Sequence, residues 1–138
     1  MKNKALQQAN ENPMFVYGTL RRGCLNDRAR SLHASADWLG AARVRGRLYR
    51  VGWYPALLLD DRADYVIGDL FRLHDPSAML AVLDDYEGVG CDFPEPWEYR
   101  REQIMVETSS DRIAAWAYIF NLPVDGLPMI AGGDFLAP

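Results

Sequence analysis

Cysteine and histidine are scarce in this chain, with two of each in 138 residues. Cys24 and Cys91 share no metal-like or redox spacing, so they define neither a disulfide framework nor a zinc module and read as buried or idle thiols. His33 and His74 stand alone, without companions at ligand spacing, so no metal site is expected. No apolar run approaches the roughly 20 residues that span a bilayer, which argues against a membrane partner. Basic residues are not in excess: 15 Lys and Arg face 19 Asp and Glu, and the net charge of -4 leaves no electrostatic footprint for nucleic acid. The first dozen residues lack the apolar core of a signal peptide, and a cytoplasmic protein is expected. Asn3, Gln7, Gln8, Asn10, Glu11 and Asn12 instead mark residues 1–12 as a loose polar tail.

What remains is ordinary for a globular protein: 49% hydrophobic and 25% charged residues. The length suits a single domain over 13–138 with a proper core. Met14 to Tyr17 reads as a short buried strand, and Asn26 to His33 as a helix capped by Asn26. Arg43 to Arg50 alternates charged with smaller or apolar residues, as a half-exposed strand does. Pro55 to Leu59, Tyr65 to Leu73, Tyr99 to Glu107 and Ile113 to Phe120 are further strands, with Gly68 marking a possible bulge. Cys91 to Pro96 is a loop, and Asn121 to Asp134 is irregular, with Pro and Gly at turn positions. Many strands with few helices indicate a small α+β protein.

Two stretches carry chemistry. The first is Tyr17-Gly18-Thr19-Leu20-Arg21-Arg22-Gly23, directly after the apolar Met14-Phe15-Val16. A strand ending in glycine beside a hydroxyl residue presents bare backbone N–H groups, and Gly18 permits unusual dihedrals or close approach. By itself the stretch is better described as a plain strand end followed by a turn. The second is Leu83-Asp84-Asp85-Tyr86-Glu87-Gly88. It closes a helix that Asp75 caps, Pro76 opens and Gly88 stops, with Met79, Leu80, Leu83 and Tyr86 at helical spacing and Val82 widening the apolar face. Glu87 then lies at the helix C-terminus, where the dipole disfavours negative charge and raises a carboxyl pKa toward the range useful for proton transfer. Read alone, Glu87 is also a solvated carboxylate beside Asp84 and Asp85.

Together the two stretches resemble the gamma-glutamyl cyclotransferase-like superfamily. Phe15 to Gly23 and Leu83 to Glu87 are closest to its gamma-glutamylamine cyclotransferase branch. Pro123-Val124-Asp125-Gly126-Leu127 and Ile130 to Leu136 resemble its bacterial YtfP-like branch. Gly52 to Leu57, Ile67 to Phe71, Tyr99-Arg100-Arg101 and Ala115 to Tyr118 fit in order, so the likeness runs from Pro13 to Leu136. It implies a small mixed β-barrel with flanking helices. It also implies an enzyme that converts a gamma-glutamyl amine or gamma-glutamyl amino acid into 5-oxoproline and a free amine, without a cofactor. In that resemblance Tyr17, Gly18, Thr19 and Leu20 form the substrate-binding loop, and Glu87 is the general acid/base. A tyrosine near the pocket falls on Tyr118.

The chemistry agrees. The substrate's α-amine must lose a proton to attack its own γ-carbonyl, and the leaving amine must gain one; a single carboxylate of raised pKa can do both. N–H donors must meet the developing oxyanion, and the Gly18–Thr19 backbone is their candidate source. Both reacting groups belong to one molecule, so pose supplies much of the rate.

Other residues compete for roles. Trp116, Tyr118 and Phe120 alternate onto one strand face, which also suits core packing. Trp53 and Tyr54 are candidates for the pocket mouth or for the core. Arg21 and Arg22 either attract an anionic substrate or lie on a solvated surface. Glu98 is the rival acid/base, although the neighbouring arginines favour an ion pair that would lower its pKa. Asp84 and Asp85 read as solvated, raising the Glu87 pKa slightly by repulsion. A non-catalytic protein that holds a small carboxylate in the same cavity is the alternative, as is a biosynthetic step that removes a gamma-glutamyl protecting group. The leaving amine and the choice between monomer and homodimer are not written in the sequence.

Overall fold

The computed structural model describes residues 11–137. Most of the polar tail expected over 1–12 therefore lies outside the described residues.

The strands are β1 (Met14–Val16), β2 (Ala36–Val51), β3 (Tyr54–Leu59), β4 (Tyr65–Leu73), β5 (Tyr99–Glu107) and β6 (Arg112–Phe120). Two helices, α1 (Asp27–Ala34) and α2 (Pro76–Glu87), complete the regular structure among the described residues. The strand order is β3-β2-β4-β1-β6-β5, and β2 also pairs with β5 through Arg43 and Glu107. That last pairing closes β2, β4, β1, β6 and β5 into a five-stranded barrel, leaving β3 as an extension on β2. The barrel is mixed, because β1 runs antiparallel to β4 and parallel to β6.

Alternation along the strands splits the core in two. Phe15, Leu48, Leu57, Leu70, Val106 and Ile119 fill the barrel interior. Met14, Phe71 and Phe120 face outward and meet Leu32 of α1 and Leu80 and Leu83 of α2. Both faces of β6 are therefore buried toward its end, Ala115, Ala117 and Ile119 toward the interior and Tyr118 and Phe120 toward the helices.

The expected elements are present with informative differences. Strand β2 begins seven residues before the expected Arg43, because β4 templates Ala36 to Arg45 across a bulge at Trp38 to Gly40. The bulge sits there and not at Gly68, which pairs regularly with Ala42. Gly68 is glycine for space: a Cβ would stand 2.4 Å from the Val16 carbonyl oxygen and 2.6 Å from the Phe15 ring. Val82 does not widen the buried face of α2; it is 40% exposed.

Helix α2 is built from its ends. Asp75 accepts from the Ala78 N–H at 3.3 Å and Pro76 opens the first turn. Gly88 ends it in the left-handed region at φ 71°, where a side chain would be strained. Burial of Met79, Leu80 and Leu83 fixes the helix azimuth and brings its final residue, Glu87, to a cavity bordered by β1 and β3.

Candidate active site

Strand β1 ends at Val16 and delivers Tyr17 to Leu20 along one wall of that cavity, which encloses about 190 Å³. Trp53, Tyr54 and Pro55 form a second wall, with Tyr86, Glu87, Glu98, Tyr99 and Tyr118 completing it. Every residue expected at the site from sequence lines this one cavity: Glu87, Tyr17, Gly18, Thr19, Leu20, Tyr118 and Tyr54.

The loop is held from behind by its carbonyls. The Gly18 oxygen accepts from the Arg21 N–H at 3.1 Å and from the Cys24 thiol at 3.8 Å. Asn26 Nδ2 donates to the Thr19 oxygen at 2.7 Å, and His33 Nε2 lies 2.9 Å from the Leu20 oxygen. Among the described residues no hydrogen bond uses the N–H of Gly18, Thr19 or Leu20. Peptide planarity opposes each N–H to the preceding carbonyl. The Thr19 and Leu20 N–H groups therefore point away from the protein atoms that hold the Gly18 and Thr19 oxygens. Gly18 earns its place by close packing, since a Cβ would stand 2.5 Å from Pro55 Cγ. Its φ is not positive, so packing and not backbone strain requires the glycine.

Arg21 does not lie on a solvated surface; its guanidinium is committed to two carboxylates. Its Nε donates to Asp69 at 3.1 Å and its guanidinium meets Asp134 at 2.7 Å. Asp69 also accepts from the Arg22 N–H at 3.0 Å and from Trp38 Nε1 at 3.2 Å. The Arg22 guanidinium stacks 3.8 Å above the Trp38 ring. These contacts anchor the far end of the loop to β4, to β2 and to the C-terminal segment.

Glu87 has a different environment. Among the described residues no hydrogen bond or ion pair engages its carboxylate, and it is only partly exposed. Burial, and then the charge of Glu98, push its carboxyl up to about 7. The repelling neighbour is thus Glu98 and not Asp84 or Asp85. Asp84 is not solvated either: Arg101 grips both its oxygens at 2.8 and 3.2 Å, and the Tyr118 hydroxyl donates to it at 2.7 Å.

Glu98 also departs from expectation, because Arg100 turns to Glu102 and Asn121, and Arg101 turns to Asp84. Glu98 instead accepts from the Tyr54 hydroxyl, 2.8 and 2.9 Å from its two oxygens. Burial, followed by this bond to Glu98, pushes the Tyr54 phenol up to about 12. Tyr17 donates to the Tyr118 carbonyl at 2.5 Å and Tyr99 to the Pro55 carbonyl at 2.6 Å. Burial first, and neighbouring carboxylates (for Tyr99, the Tyr17 phenol ahead of them) after it, hold the phenols of Tyr17, Tyr99 and Tyr118 well above their ordinary range. They are structural donors that stay protonated. Tyr99 and Tyr86 were not anticipated at the site; only the fold brings β5 and the last turn of α2 to the same opening.

No group of three His, Cys, Asp or Glu residues could hold a metal ion among the described residues. None of their helices is long and apolar enough to cross a membrane.

Residues 14–137 match the model of the family described as gamma-glutamyl cyclotransferase, AIG2-like. The chain belongs to this family. It is 31% identical over 130 residues to the gamma-glutamylcyclotransferase family protein YtfP of Escherichia coli K12, covering 89% of this chain and 95% of that one. The solution structure of E. coli YtfP superposes with a TM-score of 0.63 at 32% identity, over 91% of this chain and 96% of that one. An AIG2-like protein from Mus musculus gives a TM-score of 0.67 at 26% identity, covering 86% and 84%. YkqA of Bacillus subtilis gives 0.67 at 25% identity over 90% of this chain but only 39% of that longer chain. The barrel and its helices are thus a family architecture.

Proposed function

We propose that this protein releases 5-oxoproline and a free amine from a gamma-glutamyl amine or gamma-glutamyl amino acid, with Glu87 as the acid/base. One observation carries the reading. A partly buried carboxylate without a partner among the described residues, its carboxyl pushed up to about 7, shares a cavity with a loop whose Gly18, Thr19 and Leu20 carbonyls are engaged and whose Gly18, Thr19 and Leu20 N–H groups are not.

The substrate folds so that its α-nitrogen faces its γ-carbonyl carbon. Glu87 takes a proton from the α-ammonium, and the freed lone pair forms the new C–N bond. The carbonyl oxygen gains negative charge, which the Thr19 and Leu20 N–H groups stabilise; the Gly18 N–H remains for the α-carboxylate. The original amide C–N bond then breaks as Glu87 returns its proton to the departing amine, and the ring nitrogen sheds its second proton, which leaves on the amine as an ammonium ion. Atoms balance without water, and the carboxylate ends as it began. A carboxyl poised near neutrality suits both transfers, since neither direction is strongly uphill. Tyr17, Tyr99 and Tyr118 spend their hydroxyls on protein acceptors, so they shape and dry the site and leave proton transfer to the carboxylate.

The test is 5-oxoproline release, followed by mass spectrometry, from a panel of gamma-glutamyl amines, gamma-glutamyl amino acids and glutathione. Product from wild type, and from Glu87→Gln a rate lower by about 10²–10⁴-fold, is expected. No product from any member, with the protein folded, would turn the reading to a non-catalytic carboxylate-binding protein.

A further inference from the structure

Among the described residues the cavity is lined by two carboxylates, Glu87 and Glu98, and by no lysine or arginine. That is an unusual wall for a substrate whose glutamyl head already carries a carboxylate. Glu87 is accounted for by the reaction proposed above, whereas Glu98 enters it only through the repulsion that helps raise the Glu87 carboxyl. Its position is deliberate: the Tyr54 hydroxyl holds both of its oxygens. Two arginines follow it closely on β5, yet each is committed elsewhere. Among the described residues no cation reaches Glu98, so its charge faces the cavity uncompensated. A carboxylate accepts about four hydrogen bonds, and one phenol supplies one.

The second observation lies at the rim. Trp53 is 67% exposed, and its ring packs edge-on against Tyr54 at 5.1 Å between centroids. Trp53, Tyr54 and Glu98 thus form a continuous strip of indole, phenol and carboxylate from solvent inward. An aromatic face beside an unpaired carboxylate is the chemistry that recognises an ammonium group. With the glutamyl head held against the Tyr17–Leu20 loop, as proposed above, the wall of Trp53, Tyr54 and Glu98 is left for the leaving amine.

We infer that Glu98, with Tyr54 and Trp53, forms a subsite for a second positive charge on the leaving amine, so that the substrate is the gamma-glutamyl amide of a diamine or similarly cationic amine. This rests on the reaction proposed above. The same charge that attracts an ammonium repels a carboxylate, so gamma-glutamyl amino acids with a free carboxylate at this point are disfavoured. Glu98 is here a specificity residue that touches the leaving group and takes no part in bond making.

The experiment compares three gamma-glutamyl amides of matched length, made from a four-carbon diamine, a five-carbon alkylamine and a five-carbon omega-amino acid. For wild type, kcat/KM for the diamine amide should exceed that for the alkylamine amide by about tenfold, with the acidic amide lowest. In Glu98→Gln, which keeps the side-chain shape, the diamine-to-alkylamine ratio should fall toward one. The wild-type ratio should also shrink as salt is raised, as a charge-based preference does and a steric one does not. An unchanged ratio in Glu98→Gln, a salt-independent ratio, or preference for the acidic amide would overturn the inference. Should Glu98→Gln fail to fold, the salt arm decides alone. Absence of 5-oxoproline from all three would count against the reaction and not against the subsite; calorimetric binding of the same compounds to wild type would then decide it. Equal affinities there would remove the subsite as well.

Discussion

Asp69 and Glu87 both attend the loop that follows β1, and they are built in opposite ways. Asp69 is 4% exposed and saturated: a guanidinium, a backbone N–H and an indole N–H all converge on it. Glu87 is partly exposed, and no donor among the described residues engages it. A buried carboxylate with three donors serves position. One without donors, beside a second negative charge, is costly to keep ionised and stays only where a ligand completes it. Asp84 repeats the lesson one helical turn before Glu87, since Arg101 and Tyr118 tie it into the wall. The comparison separates scaffold acids from the reactive one by counting partners.

Removing the two carboxylates should therefore break different things. Glu87→Gln should lower kcat for 5-oxoproline release by about 10²–10⁴-fold, the usual worth of a positioned acid/base. Its melting temperature should not fall, because the amide removes a desolvated charge. A variant that keeps full turnover would dismiss Glu87 from the chemistry. Asp69→Ala should do the reverse. It leaves Arg21, whose side chain is only 11% exposed, without its inner partner, at a cost of about 3–5 kcal/mol in urea unfolding. Activity should decline mainly through KM as the loop loses its anchor. A loss below about 1 kcal/mol would show that Asp134 alone holds Arg21.

Gly18→Ala sharpens the comparison between the loop's two ends. The new methyl must displace Pro55, whose Cγ lies 2.5 Å from where it would sit. We expect about 1–3 kcal/mol of destabilisation, typical of overpacking, and a raised KM. An unperturbed variant would mean that β3 yields easily at Pro55.

Much of this could be read from the chain, and the misses share one cause. Helix α2 was legible because its cap, its proline, its stripe and its glycine all lie within one stretch of sequence. Glu87 at its end was legible for the same reason. The environment of Glu87 was not, because the charge that matters comes from Glu98, brought in where β5 starts its pairing with the end of β6. Arg21 was misread because its partners, Asp69 and Asp134, are distant in sequence. The early part of β2 escaped because Ala41, Ala42 and Gly40 have weak strand preference, and β4 supplies the template. Local signals set the elements; pairing across the barrel set the electrostatics.

The smallest expected effect tests that electrostatic reading directly. The Glu87 carboxyl sits at about 7 in the folded protein against an ordinary 4.5, raised by burial and then by Glu98. Between these values the folded state keeps a proton that the unfolded chain releases. The unfolded state then binds fewer protons, so the Glu87 contribution to stability falls as pH rises through the window. Below the window both states are protonated and the contribution is level; above it both are ionised and the full penalty applies. Other groups titrate too, so the informative quantity is the stability of wild type minus that of Glu87→Gln, which lacks this proton. That difference should drop by about 1 kcal/mol between about pH 5 and about pH 8, partial solvent access having softened the penalty. Urea midpoints at the two pH values measure it. A flat difference would mean that Glu87 is solvated like any surface acid. A difference that grows with pH would mean that a cation lies against it, and Glu87 would then join Asp69 among the scaffold carboxylates.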